Sequence, residues 1–362
     1  VASMVNHPTQ TSIVDPAFWR GRRVLLTGHT GFKGVWLAHW LSGMGAVVHG
    51  LALAPVTEPN LFDLLKIEDK VSSHIGDIRD IHAVTAAMDK CQPEFVFHLA
   101  AQALVRASYR EPLATFACNI MGTANLLEAI RGRSDVKLAL IVTTDKVYRN
   151  LEQIKPYPET AELGGHDPYS ASKAAAELVL ASYRASFLAG QGTAVLAARA
   201  GNVIGGGDWS EDRLLPDAVK AWQSGQTLQI RRPDSVRPWQ HVLEPLSAYL
   251  CLAQYAHANP QVSHAWNIGP DDAASVRTVV ELAQAAYGSG QTEFATDIVG
   301  PHEAGLLALD ASKLKQTLGI TPRWNLEQAV SRSMHWYRDF AQAQSAAELC
   351  DRDIAAFMAG NA

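Results

Sequence analysis

Arg23-Val24-Leu25-Leu26-Thr27-Gly28-His29-Thr30-Gly31-Phe32-Lys33-Gly34 decides the fold. An apolar, partly β-branched run stops at a glycine and the amphipathic stretch Val35 to Met44 follows, which reads as strand, turn, helix. The turn is a G-x-x-G-x-x-G on the first strand of an alternating pattern. Its glycines allow a sharp bend, close approach of backbone to a pyrophosphate, and tight helix packing. Free N–H groups at the start of the helix would face the phosphates. Gly28, Thr30, Gly31, Phe32, Lys33 and Gly34 are therefore candidate dinucleotide-binding residues.

The second strand, Ala46 to Leu53, ends without a carboxylate. An acidic residue there would hold the ribose 2′-OH of NAD. This position therefore does not separate NAD from NADP, and Lys33 is a candidate to meet a 2′-phosphate. Gly76-Asp77-Ile78 places Asp77 either against an adenine amino group, with Ile78 beside it, or at a helix N-cap. The buried run Glu94 to Leu99 leads into Ala100-Ala101-Gln102, where small residues let the backbone approach a flat cofactor; Leu99, Ala100, Ala101 and Gln102 join the cofactor candidates. A helix from about Thr115 to Arg131, an apolar strand from Val136 to Thr143, a helix from Tyr169 to Leu188 and a buried strand from Thr193 to Arg199 continue a β-α-β-α order. Residues 20–200 are thus expected to form an α/β domain, a Rossmann-type doubly wound parallel sheet. From about Gly201 the chain is richer in Gly, Pro, Trp and Arg. Residues 201–345 are expected to form mainly a smaller, mixed α/β substrate lobe, with helices near 241–257, 276–287 and 326–340, a strand near 265–268, and some crossing of chain between the two units.

Two clusters carry chemistry. Thr144-Asp145-Lys146 stands at the end of the 136–143 strand, where an open α/β sheet presents its ligand crevice. Tyr169 and Lys173 are four apart on one helix, so the ammonium lies one turn from the phenol. A phenol with an ordinary pKa of ~10 is a poor base at neutral pH, and a fixed cation beside it would stabilise the phenolate. Tyr169 would then take a proton from a hydroxyl whose carbon loses hydride. In the second lobe, Arg231, Arg232 and Arg237 lie between loops, and guanidinium groups suit a diphosphate because they bind phosphate bidentately. Arg106, just past the 100–102 segment, either reaches the ligand or stays on the surface.

Composition narrows the partners. With 362 residues, 48% hydrophobic, 19% charged and a formal net charge of -5, the chain is that of a soluble globular protein with no basic block for nucleic acid. No apolar run reaches the ~18 residues of a membrane helix, and the N-terminus lacks a signal peptide's apolar segment. Cys91, Cys118, Cys251 and Cys350 are scattered, which favours neither a metal site nor a disulfide framework and fits a cytoplasmic protein. A small molecule is the expected partner.

As a set, the glycine motif, the His98-to-Gln102 segment, Thr144-Asp145, Tyr169-x-x-x-Lys173 and the Arg-rich second lobe resemble extended short-chain dehydrogenases acting on nucleotide sugars, over nearly the whole chain. Thr-Asp ahead of Tyr-x-x-x-Lys is similar to the hexose 4,6-dehydratases. The third residue of that motif is usually Glu there and is Lys146 here. That departure, with the glycine loop and Arg237-Pro238-Trp239-Gln240-His241-Val242, looks like the CDP-glucose 4,6-dehydratase branch.

The resemblance implies NAD as cofactor, CDP-glucose as substrate, and an oxidation at C4, loss of water across C5 and C6, and hydride return to C6. It gives Thr144 a role in polarising the sugar hydroxyl, Asp145 that of the acid, and Asn202 and Arg237 contacts to the diphosphate, with Arg213, Arg231 and Arg106 as further substrate candidates. Lys146 is either the C5 base, which requires a neutral amine, or an ion-pair partner of Asp145. The resemblance also implies a homodimer through the helices 115–131 and 169–188, and a product that feeds deoxysugars of bacterial surface polysaccharide. The alternatives are a nucleotide-sugar 4-epimerase, a 4,6-dehydratase acting on another nucleotide hexose, and a silent dinucleotide sensor. Ser170-x-x-Lys173 also matches the S-x-x-K of serine acylases, but their partner motifs are absent.

Overall fold

The computed structural model describes residues 13–152, 155–262, 264–295 and 307–360. Seven parallel strands form one sheet: β1 (Arg23–Thr27), β2 (Val47–Ala52), β3 (Ser72–Ile75), β4 (Phe95–His98), β5 (Leu138–Val142), β6 (Ala194–Ala200) and β7 (Ala265–Ile268). Their spatial order is 3-2-1-4-5-6-7. The order reverses between β1 and β4, and in such sheets a ligand crevice opens there, at the carboxyl ends of the strands. The central strands β4, β5 and β6 are buried along their whole length, as parallel strands covered on both faces must be.

Alternation along each strand separates two cores. Val24, Leu26, Phe97, Leu140 and Leu196 face one layer, which contains the helices α1 (Phe32–Gly43) and α6 (Leu243–Ala258). Leu25, Val96, Ala139, Ile141 and Val195 face the other, with α2 (Ile81–Cys91), α3 (Pro112–Ile130) and α4 (Pro168–Tyr183). Period-2 side-chain direction in the strands sorts the residues to the two faces.

Several elements differ from expectation. The helix after β1 begins at Phe32 rather than Val35, so the third glycine of the motif is already helical. The helix expected from Thr115 starts at Pro112, where proline's fixed φ suits a first turn, and carries a π-turn over Ala117–Met121. By length and composition α3 is apolar enough to cross a bilayer, against the expectation that no segment is. It serves instead as a core helix: Thr115, Asn119 and Thr123 on it are buried and hydrogen-bonded to neighbouring elements. Expected in the smaller lobe, the strand 265–268 is the seventh strand of the main sheet, paired with β6. The helix expected over 241–257 runs Leu243–Ala258 as α6, packed on β5, β6 and α1. Its nearly all-round apolar sequence demands burial on every side.

The rest of the lobe holds three strand pairs: Asn202–Ile204 with Trp239–His241, Val236–Arg237 with Ala274–Ser275, and Thr227–Ile230 with Gln291–Phe294. Helix α5 (Leu214–Gln223) packs on this unit, as does the helix Val276–Tyr287, which rests on Leu326–Ala341.

Candidate active site

The G-x-x-G-x-x-G turn is held by contacts only glycine permits. Gly28 has a φ of 80°, and a Cβ on it would lie 2.6 Å from the Ala100 nitrogen. A Cβ on Gly34 would lie 1.9 Å from the Gly28 carbonyl oxygen. Gly31 is the N-cap of α1, offers no side-chain cap, and is followed by a first turn without a carboxylate. The amides of Phe32, Lys33 and Gly34 are first-turn donors with no acceptor inside the helix. This donor set, at a positive helix end beside the crevice, fits the pyrophosphate of a dinucleotide.

Around it, Thr30 donates its hydroxyl to the Leu53 carbonyl (2.8 Å), and the Leu99 amide donates to the Thr27 carbonyl (3.1 Å). Ala100 and Ala101 follow, half-buried. Gln102 turns its side chain to Thr115 and the Leu104 amide and has its own amide on Asn119, so its part in the cradle is the backbone. Asp77 is not a helix N-cap, a position Asp80 fills. Its carboxylate accepts from the Arg79 amide (2.8 Å) and pairs with the Arg79 guanidinium, whose hydrogen bonds hold Asp77 below the usual carboxylate range. Ile78 is buried against Gly122.

Lys33 departs from expectation. Its ammonium faces Lys173, Arg213 and Asp145 rather than the end of β2, and Nζ lies 3.2 Å from the Tyr249 hydroxyl. Burial, then the Lys173 and Arg213 cations, push its pKa down to about 7. Near the end of β2 stands His29, whose ring covers Gly50 and meets Ser73 through Nε2 (2.7 Å).

At the end of β5 the Thr144-Asp145-Lys146 cluster is compact. Thr144 caps the turn Asp145–Val147 and donates its hydroxyl to Asp145 Oδ1 (2.8 Å). The same oxygen accepts from Lys146 Nζ at 3.1 Å, and Nζ also lies 3.4 Å from Asn202 Oδ1. The Asp145 side chain is fully buried, and its Oδ2 has no hydrogen-bond partner. A buried acceptor left open beside a cleft is a place for a ligand's proton. The ion pair foreseen for Lys146 is therefore present.

Helix α4 starts with Asp167 as N-cap and Pro168 at N1, and the Tyr169 amide is tied to Ser108 Oγ (3.1 Å). Tyr169 and Lys173 are both buried, but Lys173 Nζ is bonded to the Val142 carbonyl (3.1 Å). The surroundings of the phenol act against the expected lowering. Burial raises Tyr169 to about 12, with the Thr144 hydrogen bond acting in the opposite direction. Burial likewise lowers Lys173 to about 8.

The five residues expected to bind substrate come together. Arg106, Asn202, Arg213, Arg231 and Arg237 line one cleft of about 220 Å³. Arg213 donates to the Ala103 carbonyl (3.1 Å), while Arg106 and Arg231 meet Asp212. Asp208, Asp212 and, in the first turn of α5, Asp217 line the same cleft and escaped the sequence reading, because a lone carboxylate carries no spacing signal.

A supporting network also went unseen. Glu177, one turn beyond Lys173, accepts from Thr143 (2.7 Å) and pairs with the buried Arg199, which also donates to Tyr148. On the other side, Asn119 of the π-turn donates to Ser172 Oγ (2.8 Å). Glu at i+4 from Lys173 was the one available clue.

Comparison with known proteins agrees with this geometry. The family described as GDP-mannose 4,6 dehydratase matches residues 25–333. A CDP-glucose 4,6-dehydratase of Salmonella typhimurium is 42% identical over 354 residues, 96% of this chain and 99% of that protein. Among solved structures, UDP-glucose 4-epimerase of Thermotoga maritima with UDP-glucose superposes with a TM-score of 0.76 at 24% identity, covering 88% of this chain and 99% of the other. The dTDP-glucose 4,6-dehydratase of Bacillus anthracis in complex with NAD gives 0.75 at 23% identity, covering 89% and 98%. At these identities the two structures establish the shared fold.

Proposed function

The chain belongs to the GDP-mannose 4,6-dehydratase family of enzymes, and from that premise we infer that it converts CDP-D-glucose to CDP-4-dehydro-6-deoxy-D-glucose with NAD as cofactor. The observation that carries this reading is the Thr144-Asp145-Lys146 cluster: an acid and a base 3.1 Å apart, tied to Tyr169 through the Thr144 hydroxyl and to the arginine cleft through Asn202. Bound NAD supplies a hydride acceptor at C4 and later a hydride donor at C6. The amides at the start of α1, with the backbone of 99–102, hold it.

Tyr169 takes the O4 proton. Its high intrinsic pKa makes the phenolate a strong base once formed, and the Thr144 hydroxyl, bonded toward both Tyr169 and Asp145, orients the sugar hydroxyl. Lys173 is the cation one turn away. For elimination, one proton moves from Lys146 Nζ to Asp145 along the existing hydrogen bond, which leaves a neutral amine and a carboxylic acid at no change in net charge. The amine removes the C5 proton, and the acid protonates the departing O6 as water. Asn202, within 3.4 Å of Lys146, joins this pair to the diphosphate arm, where Arg237, Arg213, Arg231 and Arg106 face the phosphates.

The same proposal includes a homodimer. Leu113, Met121, Leu178 and Phe187 stand 82%, 55%, 62% and 46% exposed around α3 and α4, and a second copy would cover them. The cytoplasm is the proposed compartment, supported by four cysteines that are free thiols, and a deoxysugar route to surface polysaccharide is the proposed context.

Incubation with NAD and CDP-, dTDP-, GDP- and UDP-hexoses in deuterated water, followed by NMR, tests the activity. A new C6 methyl and deuterium at C5 from CDP-glucose alone are expected. A C4 epimer without loss of water would overturn the reading in favour of epimerisation, and the same product from another nucleotide hexose would overturn the base assignment.

A further inference from the structure

The arginines of the cleft already have an anion among them. Arg106, on the helix Val105–Arg110, donates Nη1 to Asp212 Oδ1 at 3.1 Å. Arg231, just past the strand Thr227–Ile230, brings Nη2 to 3.5 Å from the same oxygen. One carboxylate oxygen thus joins guanidinium groups from two walls, one on the dinucleotide side and one in the lobe. Asp212 reaches this point with a φ of 56°, a left-handed conformation that few residues other than glycine adopt and for which Asp is among the better suited. The neighbouring pair Arg110–Glu211, at 3.9 Å, repeats the pattern at the rim.

We propose that Asp212 is a built-in substitute for a phosphate group, and that a nucleoside diphosphate binds by displacing it from Arg106 and Arg231. A phosphate oxygen offers guanidinium the same interaction as a carboxylate oxygen, with more charge and more acceptors. A diphosphate can therefore replace the bridge, whereas a weaker anion must compete with a carboxylate already tethered in place. Asp212 lowers affinity for all anions at these two arginines and keeps the empty cleft from filling with inorganic phosphate. This inference rests on reading the cleft as the nucleotide-sugar arm.

Calorimetric titration with CDP and, separately, with inorganic pyrophosphate tests it, using the full chain at two salt concentrations. Asp212→Asn is expected to bind both ligands about three- to tenfold more tightly, the size expected for freeing two partly exposed ion pairs. The gain should shrink at higher salt. Asp212→Gly, which accepts the left-handed backbone without strain, is expected to reproduce the gain, and Asp212→Glu to abolish it.

Equal or weaker binding of pyrophosphate by both neutral variants would overturn the proposal and make the bridge a structural tie. Pyrophosphate probes the arginines without a base or sugar. Tighter pyrophosphate binding with no CDP binding by any form would therefore overturn the substrate reading while supporting Asp212. Normal CDP binding that the neutral variants leave unimproved would overturn Asp212 alone.

Discussion

Replacing Lys33 by methionine should make the ligand-free protein more stable at neutral pH, although it deletes a hydrogen bond. Lys33 titrates at about 7 in the folded chain, against 10.5 for an ordinary lysine, first because of burial and then because Lys173 and Arg213 face it. Between those values the unfolded chain holds a proton that the folded chain has released, so stability rises with pH across that window. Below pH 7 both states are protonated and the penalty is at full size. At ~1.4 kcal/mol per pH unit the difference corresponds to roughly 5 kcal/mol. Solvent still reaches part of the side chain, and the effective dielectric there brings the figure to about 2 kcal/mol. Loss of the bond to the Tyr249 hydroxyl removes about 1 kcal/mol in the other direction. The variant is therefore expected to lead by about 1 kcal/mol at pH 7, a lead that shrinks toward zero near pH 10 as the penalty is lost. Urea unfolding followed by tryptophan fluorescence at pH 6.5, 7.5, 8.5 and 9.5, without added nucleotide, measures both curves. A constant gap across this range would refute the reasoning, since only a titrating Lys33 makes the gap depend on pH.

Glu177→Gln leaves the Arg199 guanidinium buried without its counter-ion, which should cost about 3–5 kcal/mol in urea unfolding. Gly34→Ala drives a methyl to within 1.9 Å of the Gly28 carbonyl, so the turn must open; NAD affinity by fluorescence quenching is expected to fall at least about tenfold, with about 1–3 kcal/mol of stability. Lys146→Ala should abolish deuterium incorporation at C5 while transient absorbance from oxidation at C4 persists; unchanged exchange would remove Lys146 from the base role. Tyr169→Phe should lower kcat by about 10²–10⁴ with the fold unchanged by circular dichroism.

Much of the sheet was legible because parallel strands covered on both faces announce themselves as short apolar runs, whereas their spatial order came from the structure. Where the expectation failed, the cause was packing at long range. Ala265–Ile268 looks like any other short strand, and only the open edge of β6 recruits it to the main sheet. Leu243–Ala258 is apolar nearly all round, which signals burial but not which layer buries it. In the site, residues in a fixed local spacing were found: Gly28 to Gly34, Thr144 to Lys146, Tyr169 and Lys173. Asp212 and Arg199 were not, because each acts through a partner far away in sequence.

The sequence by itself determined the alternation of strand and helix, the glycine turn, and the side chains able to move protons, since these depend on neighbours within a turn or two of chain. Tertiary structure decided their electrical states and pairings. Tyr169 is raised rather than lowered because burial outweighs the Thr144 hydrogen bond and the Arg213 cation, while Lys173 is bonded to the Val142 carbonyl, and Lys33 meets the Tyr249 hydroxyl rather than the end of β2. Desolvation and the field of distant charges depend on which atoms surround a group in three dimensions, and no spacing along the chain encodes that.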